Sequence, residues 1–226
     1  MSLFVEIILK IIIFILVLGV CAAASLFIGV ADITLSDLLS GHPEAWSLVS
    51  ISRIPRTMAL LLAGAGMSIS GVVMQQMTQN KFVAPTTAGT LEAAKMGLLA
   101  FMILLPSAGT LWKMLFAFAF TFGASIVFLT IVRKIRFRNV IFVPLVGLIF
   151  GGIIGSISTF FAVKLNIVQD TNAWMMGDFS GVLQGRYELI YLSLPATLLT
   201  YFYANKFTVI GMGEDFSKNL GLNYPA

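Results

Sequence analysis

Six apolar runs of about transmembrane length constrain this chain more than any other feature. They occupy 11–30, 58–77, 88–105, 111–132, 140–163 and 188–204. A helix of about 20 apolar residues spans the hydrocarbon core of a bilayer. It also satisfies its backbone hydrogen bonds internally, as lipid requires. The predicted fold class is therefore all-α, a polytopic helical membrane protein with six transmembrane helices. The composition, 58% hydrophobic and 11% charged, excludes an ordinary soluble domain. The first run has a second reading, because Ala22 and Ala24 form a pair resembling a signal cleavage site. Its apolar character continues past that pair to span length, which favours a retained helix.

Charge sets the orientation. Arg133, Lys134, Arg136 and Arg138 cluster after the fourth run, which places that loop in the cytoplasm. Counting back four spans puts the N-terminus in the cytoplasm as well. The stretch 31–52 then lies outside; it holds Asp32, Asp37 and Glu44 and no Lys or Arg.

Several chemistries lack the parts they need. Cys21 and His42 are each single, so there is no intrachain disulfide, histidine metal cluster or serine–histidine relay. No GxxxxGK[ST] loop and no HExxH motif occur, so the chain neither cradles ATP in that way nor carries a zinc-protease site. No metal-binding or catalytic set is predicted.

Other patterns are more informative. Gly64/Ser68 and Gly66/Ser70 in the second run allow close helix approach. Gly147, Gly151, Gly155 and Thr159 recur every four residues in the fifth, a flat face expected to pack tightly on a neighbour rather than line a pore. Glu92 and Lys95 lie inside the third run, three residues apart on one face, and are expected to neutralise each other. Arg53-Ile54-Pro55-Arg56 stands at the outer end of the second run, with Pro55 suited to a first helical turn. Its guanidiniums can hold a partner's carboxylates or anchor a helix end at the headgroups, and spacing leaves both open. A short amphipathic helix with Trp174 at the interface is predicted over 172–183.

The stretch 211–222, GMGEDFSKNLGL, reads as a separate short helix. Gly213 precedes Glu214 and Asp215, which suit the positive end of a helix, and Gly221 can cap the other end. Phe216 and Leu220 share one face. Such a helix docks into another protein or lies on the membrane surface.

Arg53-Ile54-Pro55-Arg56, Ala63-Gly64-Ala65-Gly66 to Gln75, Asn80 to Pro85, Trp174 to Gly177 and Gly213-Glu214-Asp215 to Leu220-Gly221 occur in that order. Together they resemble the permease family of bacterial ATP-driven importers for iron–siderophores, haem and vitamin B12. NKFVAPTTAGT, GDFSGVLQGRYEL and KFTVIGMGEDFSKNLGLNY are similar to the catecholate or petrobactin-type siderophore permeases within it. The resemblance implies a single permease domain over 1–226, the N-terminal part of a ten-helix protein, truncated after its coupling helix at 211–222. It implies a multi-pass protein of the bacterial cytoplasmic membrane that moves ferric siderophore and is not itself an enzyme. ATP would be used by separate cytoplasmic ATPase subunits. The implied partners are those ATPases, an extracellular or periplasmic binding protein and a second permease subunit, identical or related; nucleic acid is not among them.

By the same resemblance, Arg53 and Arg56 would dock the binding protein. Gly213, Glu214, Asp215, Phe216, Leu220 and Gly221 would couple to the ATPase. Asn80 and Phe82 would lie near an inner gate, and Trp174 at the outer cavity. The rival readings are a haem or vitamin B12 permease of the same family, an ion-gradient-driven secondary transporter, and a non-transporting scaffold.

Overall fold

A computed structural model of the chain describes residues 2–29, 34–134, 142–185, 187–212 and 219. The described residues form helices joined by turns, with no strand among them. The α-helices are α1 (Ser2–Phe27), α2 (Leu35–Leu39), α3 (Pro43–Leu48), α4 (Ile54–Thr78), α5 (Thr90–Leu104), α6 (Thr110–Lys134), α7 (Phe142–Lys164), α8 (Val168–Met175), α9 (Leu194–Phe202) and α10 (Ala204–Gly211).

Among the described residues, four helical stretches are long and apolar enough to cross a membrane: Phe4–Phe27, Pro43–Thr78, Thr110–Lys134 and Phe142–Lys164. They cover the first, second, fourth and fifth predicted spans. The third is shorter than expected, because α5 has only 15 residues. The sixth is divided between a 3₁₀ segment, Tyr187–Ser193, and the short α9. The amphipathic helix expected over 172–183 lies earlier in the chain, as α8.

The chain divides into two compact units, Met1–Ala63 with Phe179–Ile190, and Gly64–Asp178 with Tyr191–Ala226. In the first unit, α1 runs unbroken through Ala22 and Ala24 and is exposed along most of its length. An apolar helix without a covered face suits lipid. Thr34 caps α2: its backbone N–H donates to Asp37 Oδ2 at 2.9 Å, and its hydroxyl donates to the same oxygen at 2.5 Å. These bonds hold the Asp37 carboxyl below its usual value of 3.8.

Pro55 does not open a helix. It lies inside a continuous helical run from Pro43 to Thr78, just after a π-helical segment, Val49–Arg53. Proline has no N–H and its ring crowds the carbonyl four residues back. The local widening gives that ring room: Ile54 N–H bonds back to Val49, five residues away. The carbonyl deprived of its usual partner is that of Ile51. It accepts instead from the Gln184 backbone N–H at 2.9 Å.

In the second unit, α4 ends at Thr78, and Gln79 just beyond it takes a left-handed conformation with φ 49°. Asn80 N–H reaches Gln75 O at 3.1 Å and Gln79 N–H reaches Gln76 O at 3.2 Å, the two bonds of a Schellman cap. Tight helix packing follows from small residues. A Cβ on Gly97 of α5 would fall 2.6 Å from the Phe116 carbonyl oxygen of α6. Beside this contact Phe101 meets Phe116 edge-on, with ring centroids 5.9 Å apart.

The glycine face of α7 packs as expected at Gly147 and Gly151, whereas Gly155 and Thr159 line an open cleft. Gly147 lies against the Thr87 carbonyl, and a Cβ on Gly151 would fall 3.0 Å from the Gly89 Cα. Gly89 itself has φ +75°, a conformation that glycine adopts without steric cost. The turn before α5 therefore reaches the middle of α7, and this shortens α5. Of the third apolar run, Ala88 ends a 3₁₀ turn, Pro85–Ala88, Gly89 precedes α5 and Leu105 follows it.

Candidate functional site

The candidate site residues fall into four groups. The first is the arginine pair. Arg53 is buried, at 6% exposure, and donates from Nη1 to the Ile28 carbonyl. Arg56 is half-buried and donates from Nη2 to Ser25 O at 3.2 Å and to Ile28 O at 3.0 Å. Thr57, on the same face, shares a 3.0 Å hydroxyl hydrogen bond with Ser25. The last carbonyls of a helix lack intrahelical partners and carry its negative dipole end. Both guanidiniums thus cap the end of α1. Gly29 is the residue that allows it, because any side chain there would occupy the space of the Arg53 guanidinium.

The second group is the turn after α4. Asn80 Oδ1 accepts from Phe82 N–H at 2.9 Å, closing an Asx turn. That turn leaves Phe82 98% exposed while Val83, next to it, is 3% exposed. A fully exposed phenylalanine beside a buried valine is oriented by the backbone, not by burial.

The third group is Trp174 on α8, half-exposed at 48%. Lys113, near the start of α6, places its ammonium 4.0 Å from the Trp174 ring and 5.7 Å from the Phe101 ring. A cation between two aromatic faces holds α8 to α5 and α6. Sequence reasoning missed Lys113. Its one signal was a lone lysine at the start of an apolar run, and the partner ring lies 61 positions away.

The fourth group is Glu92 and Lys95, and here the sequence expectation fails. They do not pair with each other; neither has an ion-pair or hydrogen-bond partner among the described residues. Both are half-buried in the wall of an open cleft of about 760 Å³ between α5 and α7. Thr86, Gly151, Gly155 and Thr159 also line it. The Glu92 carboxylate is directed at the glycine face: a Cβ on Gly155 would fall 2.8 Å from its Oε2. Because glycine leaves open space opposite α5, Glu92 extends across the cleft towards α7 instead of towards Lys95.

The predicted coupling residues Gly213, Glu214, Asp215, Phe216, Leu220 and Gly221 lie outside the described residues, as do Arg136 and Arg138. The helix leading to the coupling stretch is described. Gly211, the last residue of α10, abuts the Gln76 side chain and backbone at the end of α4. Among the described residues no group of three or more His, Cys, Asp or Glu side chains could hold a metal ion.

Long apolar helices joined by glycine-mediated packing define a class, the polytopic helical membrane proteins. Residues 14–226 match the FecCD transport family, and the chain belongs to it. It is 47% identical over 209 residues to the petrobactin import system permease protein YclN of Bacillus subtilis (strain 168), an alignment covering 92% of this chain and 66% of that protein. It is 46% identical over 202 residues to the ferric-anguibactin transport system permease protein FatD of Vibrio anguillarum, covering 89% and 64%. The chain thus spans just under two thirds of the length of these relatives. A solved metal-chelate type ABC transporter in an inward-facing conformation superimposes with a TM-score of 0.78 at 20% identity, over 92% of this chain and 66% of that one. That likeness establishes the fold.

Proposed function

We infer that this chain belongs to the membrane permease subunit of an ATP-binding-cassette importer that carries ferric siderophore across the bacterial cytoplasmic membrane. The observation that carries this reading is the 47% identity to a petrobactin import permease over 92% of the chain. The subunit is not an enzyme in this reading. Cytoplasmic partners bind and hydrolyse ATP, a binding protein delivers the chelate from outside, and a second permease subunit completes the pathway. The N-terminus lies in the cytoplasm, in keeping with Arg133 and Lys134 at the end of α6. Six spans are counted in this chain when α5 and the 188–204 region are included, out of the ten of a whole permease.

The contacts described above suit such a device. ATP binding and hydrolysis move the ATPases, and 213–221 receives that motion. Gly211 of α10 passes it to Gln76 at the end of α4. The turn that follows α4 rests on Gly147 and Gly151 of α7, so a shift there changes how α5 and α7 meet. The permease forms no bond with its cargo; it supplies pathway states whose populations the ATPases shift. Arg56, half-buried and still in contact with solvent, is the arginine of the pair suited to meet acidic groups of the binding protein. Asn80 and Phe82 lie at the inner end of the pathway and Trp174 at the outer end.

Replacing Phe216 and Leu220 together with Asp tests the coupling stretch. The variant should remain in the membrane and lose co-purification with its ATPase. Undiminished co-purification would remove 213–221 from the ATPase interface.

A further inference from the structure

We propose that Glu92 and Lys95 are specificity-determining residues on the wall of the transport pathway. They would read a ferric chelate that carries protonated amines as well as anionic iron-binding groups. The inference rests on the transport reading above and adds to it the chemical class of the cargo.

Three observations lead to it. First, the cleft lies at depth. Gly151 and Gly155 fall near the middle of α7, whose ends are Phe142 and Lys164, and Gly155 stands roughly 20 Å along it at 1.5 Å per residue. The turn containing Thr86, Thr87 and Gly89 reaches that level and borders the cleft. Non-helical backbone at such depth is tolerated where protein covers it or water fills the space beside it, and not against lipid tails. Secondly, Glu92 and Lys95 both line this cleft, half-buried, with no partner among the described residues. Ionisable side chains within spans face a bundle interior or a watery cavity and are rare elsewhere. Both observations exclude lipid from the cleft, and the proposal assigns the space to water and cargo rather than to further protein. Thirdly, its volume of about 760 Å³ falls in the range that encloses a sizeable small molecule.

The charges then define the ligand. Lys95 is a point donor for an anionic chelate. Alone it would suit any of them. Glu92, close by on the same wall, repels a purely anionic surface and accepts from an ammonium. A cargo carrying both signs satisfies both side chains, whereas one carrying a single sign leaves one of them unpaired in a desolvated place. Thr86 and Thr159 add hydroxyls that bond to either sign of ligand group.

The test uses the permease assembled with its ATPase and binding protein in vesicles. Uptake of radioactive iron is followed with two ferric tricatecholates of matched size, one with protonated backbone amines and one with those amines acetylated. Glu92→Gln should lower uptake of the amine-bearing chelate about tenfold, since one charge-assisted contact is lost, and should not lower but raise uptake of the acetylated one, since a like-charge repulsion is removed. Lys95→Gln should lower both about equally. Unchanged uptake in both variants, or an equal loss of both chelates in Glu92→Gln, would overturn the assignment. Uptake of neither chelate by the unaltered protein would instead overturn the transport reading on which it rests. A second readout does not depend on turnover. In a Cys21→Ser background, Lys95→Cys should react with a charged, membrane-impermeant thiol reagent, and the amine-bearing chelate should slow that reaction. A cysteine inert to the reagent would mean that the cleft is closed to water and would also overturn the proposal.

Discussion

At the residue scale, the arginine pair illustrates how far a motif can be read. Its presence is plain in the sequence, but the helix end expected there is not found: the pair lies inside a continuous helical run and meets the end of α1 instead. Its division of labour is not plain in the sequence, because that depends on Gly29 and the end of α1, more than twenty residues upstream. Arg53 is buried on the Ile28 carbonyl, whereas Arg56 is half-buried. The two should therefore respond differently to substitution. Arg53→Ala removes the buried one of the two caps on α1 and should destabilise the protein by about 2 kcal/mol, the usual worth of a hydrogen bond to a charged group. Thermal unfolding in detergent measures this. Arg56→Glu loses the bonds to Ser25 O and Ile28 O and should lower the unfolding midpoint as well, and it should weaken binding-protein docking, more so at low salt than at high salt, which Arg53→Ala should not do. Docking that ignores both substitution and salt would confine the pair to capping α1. Lys113 makes the same point. A lysine beside an apolar run gives no hint of the ring it will meet, because Trp174 comes from a helix distant in sequence.

At the element scale, hydropathy located the long helices well and the interrupted ones poorly. A window average reports how apolar a stretch is and says nothing about whether its backbone is helical. The third apolar run therefore looked like a span, although its beginning forms the turn that packs on Gly147 and Gly151. The glycine stripe was legible because a four-residue period is a helical signature whatever covers it. The Glu92–Lys95 expectation failed for a related reason. Spacing on one helix allows a pair, but the glycine face opposite offers Glu92 open space. Pro55 carries the clearest prediction at this scale. The Ile51 carbonyl bonds to Gln184 because proline supplies no N–H. Pro55→Ala restores that N–H, and the π segment should tighten towards regular α-helix. Hydrogen exchange at the Gln184 amide should then accelerate, as its acceptor is claimed from within the helix. Unaltered protection at Gln184 would mean that the loop holds this bond independently of the proline.

At the scale of the whole molecule, family membership and the route from α10 to α7 support one account. The account's central claim is that this chain's permease converts ATP hydrolysis in a partner into movement of a ferric chelate. The stretch 211–222 is expected from its sequence to be a polar, capped helix with two apolar knobs, and Gly213, Glu214, Asp215, Phe216, Leu220 and Gly221 lie outside the described residues. The contacts that the proposed coupling would use are visible only in the fold, where Gly211 meets Gln76 and the turn before α5 meets Gly147 and Gly151. ATPase activity of the assembled permease in reconstituted membranes, with and without binding protein loaded with ferric siderophore, tests the claim most directly. The account predicts stimulation by the loaded binding protein, and loss of that stimulation when Phe216 and Leu220 are both replaced with Asp. Iron uptake driven by an ion gradient in the absence of any ATPase would contradict it, and would identify the chain as part of a gradient-driven carrier.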